Sequence, residues 1–217
     1  MIASGPACPD TSTAEEARRI REKYALRMSD EALKLLDVET PKSLDHVRTQ
    51  VTGSVRELCA AAAKACGRLG YDPVLLTDQL CCQAREAGSF LASIAKTHAR
   101  DGKALAFIAG GETVVKLTGR GLGGRNQEIA LAAAAGVSGL PNAAVFSVGS
   151  DGTDGPTDAA GGYADGDTCR ELREYVLSVD TVLQENDAYH ALQKTGGLII
   201  TGPTGTNVND VSVVLLR

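Results

Sequence analysis

The 217-residue chain has no tryptophan, and Phe, Trp and Tyr together make up only 4% of it. Stacking platforms for bases and aromatic clefts for sugars are therefore poorly supported. No run of Lys or Arg occurs and the formal net charge is -5, which argues against a nucleic-acid surface. The six cysteines, at 8, 59, 66, 81, 82 and 169, form no Cys-x-x-Cys pair, and His46, His98 and His190 are scattered. This argues against a zinc site or disulfide framework and for small thiols in a reducing compartment. No apolar run approaches membrane-spanning length, and the first residues, Met-Ile-Ala-Ser-Gly-Pro, resemble no leader. A cytoplasmic protein without membrane or nucleic-acid partners is predicted. Gly-x-Ser-x-Gly and His-Glu-x-x-His are both missing, so hydrolase and zinc-enzyme readings lack their parts.

What is present is ordinary globular material: 43% apolar and 23% charged residues, enough to bury a core. Twenty-four glycines and abundant alanine suit close helix-to-sheet packing and glycine-rich ligand loops. Residues 1–13 read as a loop through Ser4-Gly5-Pro6 and Pro9-Asp10. Thr13 with Glu16 is a capping-box pattern for a helix to about Tyr24, and a short helix follows from Asp30 to Leu36. A boundary is expected near residues 39–46, so that 1–44 is an interdomain helical segment and 45–217 an α/β domain. From there the pattern alternates: an extended segment at 46–52, a helix at 55–69, a strand at 73–77, a helix at 81–99 and a strand at 104–109. Further strands are expected at 112–117, 143–148, 198–201 and 211–216, and helices at 125–135, ended by Gly136, and 167–176. Strand–helix alternation of this kind predicts an α/β fold with a mostly parallel sheet flanked by helices.

Three polar, glycine-rich segments punctuate these strands, where open α/β sheets place their ligands. Gly119-Arg120-Gly121-Leu122-Gly123-Gly124, followed by Arg125-Asn126-Gln127-Glu128, fits G-x-G-x-x-G. The acidic residue of a dinucleotide site, about 20 positions further on, is missing. The segment is thus a candidate anion cradle, with glycine amides, a helix start and the Arg125 fork; a flexible hairpin with a solvated arginine is the alternative. Ser150-Asp151-Gly152-Thr153-Asp154-Gly155-Pro156-Thr157-Asp158 clusters carboxylates that could hold Mg²⁺, against Asx turns holding tight glycine bends. Thr201-Gly202-Pro203-Thr204-Gly205-Thr206-Asn207-Val208-Asn209-Asp210 offers hydroxyls and amides, without the lysine of a Walker loop. Asn186-Asp187, taken alone, reads as a helix cap.

Read together and in order, Gly110-Gly111-Glu112-Thr113, Gly123 to Glu128, Asp151 to Gly161, Asn186-Asp187 and Thr201 to Asp210 resemble the C-terminal half of class II glycerate kinases. This is the MOFRL family, often labelled hydroxypyruvate reductase, and the MOFRL region would span about 104–217. Ile2 to Pro6 with Pro9-Asp10, and Thr52-Gly53-Ser54, resemble the family's hand-over into its second domain. The resemblance implies ATP-dependent, Mg²⁺-assisted phosphorylation of D-glycerate to 2-phosphoglycerate in a cleft between two α/β domains. It also implies catalytic roles for Arg125, Asp151 and Asp154. Gly111, Glu112, Gly123, Gly124, Asn126, Thr204, Gly205, Thr206 and Asn207 would contact a small hydroxy acid or the nucleotide, and Asp151 with Asp154 would hold the metal. Two positions depart from the family: Val55 replaces an asparagine and Leu122 a basic residue. The family's first domain, with its lysine and Gly/Ser-rich segment, would have to come from a preceding domain or a partner chain, and the isolated chain is expected not to turn over. An NAD(P)H-dependent hydroxypyruvate reductase and a non-catalytic small-molecule-binding module are the competing readings.

Overall fold

The computed structural model describes residues 8–48 and 50–217. The Ser4-Gly5-Pro6 turn and the Ile2 to Pro6 resemblance lie outside them. The chain divides into two compact units, meeting in sequence at Val51 and Thr52. In the first, α1 (Ala14–Lys23) begins at a capping box. The Thr13 hydroxyl accepts the Glu16 N–H, and the Glu16 carboxylate accepts the Thr13 N–H at 2.8 Å. Its acidic first turn and basic last turn both complement the helix dipole. The Ser29 side chain likewise caps α2 (Asp30–Leu35).

The second unit carries β1 (Asp72–Leu80), β2 (Leu105–Gly111), β3 (Ala143–Gly149), β4 (Gly161–Asp165), β5 (Leu198–Ile199) and β6 (Asp210–Leu216). They form one sheet in the order β1-β2-β6-β3-β4-β5. Only β1 and β2 pair in parallel; the other four pairings are antiparallel. The α/β class holds, but the expected mostly parallel sheet is corrected to a mostly antiparallel one. The reason is β6. The units β1–helix–β2 and β2–helix–β3 do run in one direction, as alternation predicts, but β6 inserts between β2 and β3 and runs against both. Two further expectations change. Residues 112–117 form a loop with one bridge, Val114 to Gln83, and no strand is present at 46–48 or 50–52.

Six helices cover this sheet: α3 (Val55–Arg68), α4 (Ala84–His98), α5 (Arg125–Val137), α6 (Thr168–Glu174), α7 (Val179–Glu185) and α8 (Ala188–Lys194). The last two were not expected, nor was β4. The strand period of two divides the core. Leu105, Phe107 and Ala109 face Leu91 of α4 and Ile129 of α5, while Ala106 and Ile108 face Cys59 of α3. All of β2 is buried, as a strand covered on both faces must be. Helix α5 is buried almost all round, and its alanines let α4, α7 and α8 approach closely. It runs through Gly136, which faces Ala92 of α4 and does not end it. Each fully buried Leu or Ile, such as Leu91, Ile129 and Leu131, stabilises the fold by roughly 1.5–3 kcal/mol.

Candidate functional site

One end of the sheet gathers the functional loops. Gly111 ends β2, Gly149 ends β3, and both pair with Asp210, the first residue of β6. Loops 112–124, 150–160 and 200–209 all leave from this end, and α5 starts there with Arg125.

Arg125 is not a free cation. Its Nε and Nη2 donate to the two oxygens of Asp210, the second at 3.1 Å, and Nη1 lies 3.4 Å from Glu112 Oε1. The Asp210 hydrogen bonds hold the guanidinium pKa above its ordinary value, so the group stays charged. Asp210 is buried whereas Glu112 is about half exposed. The fork is therefore fixed from beneath and reachable from one side. It lines a cleft of ≈ 650 Å³ together with Glu112, Gly123 and Gly124, a size suited to a small-molecule ligand. The N–H groups of Gly123 and Gly124 meet no acceptor among the described residues, which leaves two donors beside the guanidinium. Thr113 also lines the cleft, and its buried hydroxyl has no partner among the described residues.

Behind this rim lies a buried polar layer. Asp154, 3% exposed, accepts the N–H of Asn126 at 3.1 Å, the Asn126 side-chain amide at 3.2 Å and the N–H of Gln127 at 2.9 Å. It does the work of an N-cap for α5, whose own N-cap residue is Gly124. A Cβ on Gly124 would collide with the Asp154 carboxyl, so the close approach requires glycine there. Burial pushes the Asp154 pKa up to about 6, against the opposing pull of the Gln127 and Asn126 hydrogen bonds. Asn126 continues the layer to Ser147, whose hydroxyl also meets Ser212 at 2.8 Å.

The remaining expected residues form a neighbouring group. The Thr204 N–H donates to the Asp151 carbonyl at 3.1 Å, its hydroxyl donates to the Ser150 carbonyl, and the Asn207 side chain donates to Asp151 Oδ2 at 3.4 Å. Gly205 and Thr206 complete an exposed turn beside them. This loop is joined to the arginine through β6, where the Ser150 N–H donates to the Asn209 carbonyl next to Asp210. The cleft thus holds Glu112, Gly123, Gly124 and Arg125. Asp151, Thr204, Gly205, Thr206 and Asn207 stand on the adjoining loops, Asn126 and Asp154 lie underneath, and Gly111 sits at the end of β2.

A resident Mg²⁺ does not fit Asp151 and Asp154. Both Asp154 oxygens accept N–H groups, Asp151 accepts from Thr153 and Asn207, and no group of three His, Cys, Asp or Glu among the described residues could hold a metal.

Several residues named within the motifs take roles that the sequence reading did not assign. Asn186 sits at the end of α7 with φ 54 and takes five hydrogen bonds. Glu128, 2% exposed, pairs with Arg85 at 3.1 Å. Gln127, Glu128 and Asp210 all stood within the motifs, and a usable signal existed. Polar residues open an otherwise apolar helix at 126–128, and an aspartate opens an apolar strand at 210. The glycine loop itself is no dinucleotide turn. Thirteen residues separate β2 from α5, and the N–H groups of Thr118, Gly119, Gly121 and Leu122 donate to the junction between α7 and α8.

This arrangement has known relatives, and residues 105–210 match the MOFRL family. The chain is 46% identical to a D-glycerate 2-kinase of Thermotoga maritima over 100% of its own length and 53% of that protein. It is 40% identical to a glycerate 2-kinase of Pyrococcus horikoshii, covering 99% of this chain and 52% of the relative. The crystal structure of the Thermotoga maritima glycerate kinase superposes with a TM-score of 0.86 over 100% of this chain and 53% of that one. The chain therefore spans about half the length of the curated relatives it matches.

Proposed function

We propose that this chain is the anion-holding half of a D-glycerate kinase, working in the cytoplasm on ATP–Mg²⁺ and D-glycerate to give 2-phosphoglycerate. Residues 45–217 would be the working domain. In that reaction the bond from the γ-phosphorus to the bridging oxygen breaks, a bond to the glycerate 2-oxygen forms, and the hydroxyl proton leaves. Such a transfer needs positioned phosphates and a held hydroxyl more than covalent help. The Arg125 fork and the Gly123 and Gly124 N–H groups would hold the substrate carboxylate or the phosphate that develops beside it. Glu112, beside the guanidinium and open to solvent, would accept the hydroxyl proton. Asp151, Thr204, Gly205, Thr206 and Asn207 would border the second ligand, and Asn126 and Asp154 would fix the start of α5. Mg²⁺ enters as part of the nucleotide substrate.

The observation that carries this reading is the guanidinium gripped from below by Asp210 and presented to the cleft beside two unclaimed glycine amides. The relatives supply the reaction. A single arginine facing Glu112, Asp210 and Asp154 leaves the seat without surplus positive charge, so the chain needs cationic help from outside itself to bind a triphosphate productively. A coupled ADP-release assay with D-glycerate and ATP–Mg²⁺ tests this. The isolated chain is expected to bind 2-phosphoglycerate in calorimetry and to turn over weakly or not at all. Robust turnover by the isolated chain would overturn the half-site reading, and tight NADH binding with no effect of ATP would overturn the kinase reading.

A further inference from the structure

We infer that Asn186 is a positioning residue that sets the geometry of the Gly123-Gly124-Arg125 seat by clamping the chain on both sides of it. The inference rests on the proposed function, because the seat's ligand is taken from that reading.

Before the seat, Asn186 Oδ1 accepts the Thr118 N–H at 2.7 Å and the Gly119 N–H at 2.9 Å, and Nδ2 donates to the Lys116 carbonyl at 3.1 Å. After the seat, the same Nδ2 donates to Glu128 Oε2 at 3.2 Å, in the first turn of α5. One amide side chain thus closes residues 116–128 into a ring, and the seat lies inside it. No other common side chain of this length supplies an acceptor for two N–H groups together with donors for a carbonyl and a carboxylate. Glu128 is held in turn by Arg85, whose Nη2 donates to the Leu183 carbonyl of α7. The next residue, Asp187, takes the Leu122 N–H at 2.9 Å, and the Tyr189 N–H donates to the Leu122 carbonyl at 2.9 Å.

This stitching settles which amides remain for a ligand. The N–H groups of Thr118, Gly119, Gly121 and Leu122 are occupied by the α7–α8 junction. Those of Gly123 and Gly124, two residues that line the cleft, meet no acceptor among the described residues. Asn186 lines the same cleft, yet its amide is fully engaged, so it acts through the loop and not on the ligand. Its left-handed φ of 54 is one that Asn and Gly adopt more readily than other residues.

That preference supplies the variant. N186G keeps the backbone conformation and deletes the side chain alone. In calorimetry with 2-phosphoglycerate, N186G is expected to weaken binding about ten-fold or more, since misplacing a seat is costly even when its groups survive. Combined with R125A, it should cost clearly less than it does in the unaltered chain, because part of what a displaced seat loses is the arginine contact that R125A has already removed. A merely structural role would give multiplying effects, and that result overturns the inference, as does N186G binding within two-fold of the unaltered chain. N186D keeps the acceptor for Thr118 and Gly119 but faces Glu128 with a second carboxylate. It should fall between the two and be partly rescued by E128Q, which supplies the missing donor, and it is the variant to read if N186G does not fold. Amide exchange separates failure of the clamp from failure of the kinase reading. Absent binding by the unaltered chain counts against the kinase reading, while unchanged exchange at Thr118 and Gly119 in N186G overturns the clamp.

Discussion

Asp154 puts two forces in direct opposition, and pH measures which one wins. It is 3% exposed, and removal from water favours its neutral form. The start of α5 and three N–H groups favour the charged form. Desolvation is the larger, raising the pKa from 3.8 to about 6. A raised carboxylate pKa means that the folded state binds the proton more readily than the unfolded state between those two values. Stability must therefore fall as pH rises through that window, and level off above it. The shift corresponds to about 3 kcal/mol, at 1.36 kcal/mol per pKa unit. Urea unfolding of the chain and of D154N, from about pH 4 to about pH 7, isolates the effect, since the other carboxylates cancel in the difference. The stability of the unaltered chain relative to D154N should drop by about 2–3 kcal/mol across this range. A difference that stays flat would refute the reasoning. One that climbs would show that the helix start, and not burial, governs this carboxyl.

Two packing sites give further tests. A Cβ on Gly88 of α4 would strike the Ile129 carbonyl and the Ala132 methyl of α5, so G88A should destabilise by about 1–3 kcal/mol in thermal or urea unfolding. Gly67, near the end of α3, has nothing within 4 Å of that position, and G67A should instead stabilise by roughly 0.5–1 kcal/mol. S147A leaves the buried Asn126 Oδ1 without its hydroxyl donor and should cost about 1–3 kcal/mol by the same measurement.

How much of this was legible depended on distance along the chain. Helices α1, α3, α4 and α5 and strands β1, β2, β3 and β6 announce themselves by apolar periodicity within short windows. Strand β4 does not, because Gly161-Gly162-Tyr163-Ala164-Asp165 carries two glycines and no β-branched residue; pairing with β3 holds it in the sheet. The direction of the sheet was hidden for a related reason. Nothing local to Val211 or Val213 says that they slot between two strands laid down far earlier in the chain, β2 at Leu105–Gly111 and β3 at Ala143–Gly149. At the site, Arg125 and its glycines stand out as chemistry-bearing types. Asp210, 85 positions away, and Asn186, nearly 60 from Glu128, become their partners only when the chain folds. Asp154 was visible as a carboxylate but misleading as to its task, since spacing shows an oxygen and not the amides that claim it.

The central placement of β6 has a consequence for how the unit is made. Until that strand arrives, β2 and β3 each expose an open backbone edge, and no local pairing can close either one. The sheet acts like an arch whose keystone is laid last: during synthesis the half-built unit stays open, prone to self-association and waiting on its final stretch. The same strand begins with the aspartate that grips Arg125. Closing the sheet and arming the arginine are thus one event, so a chain caught before that step should carry no competent seat.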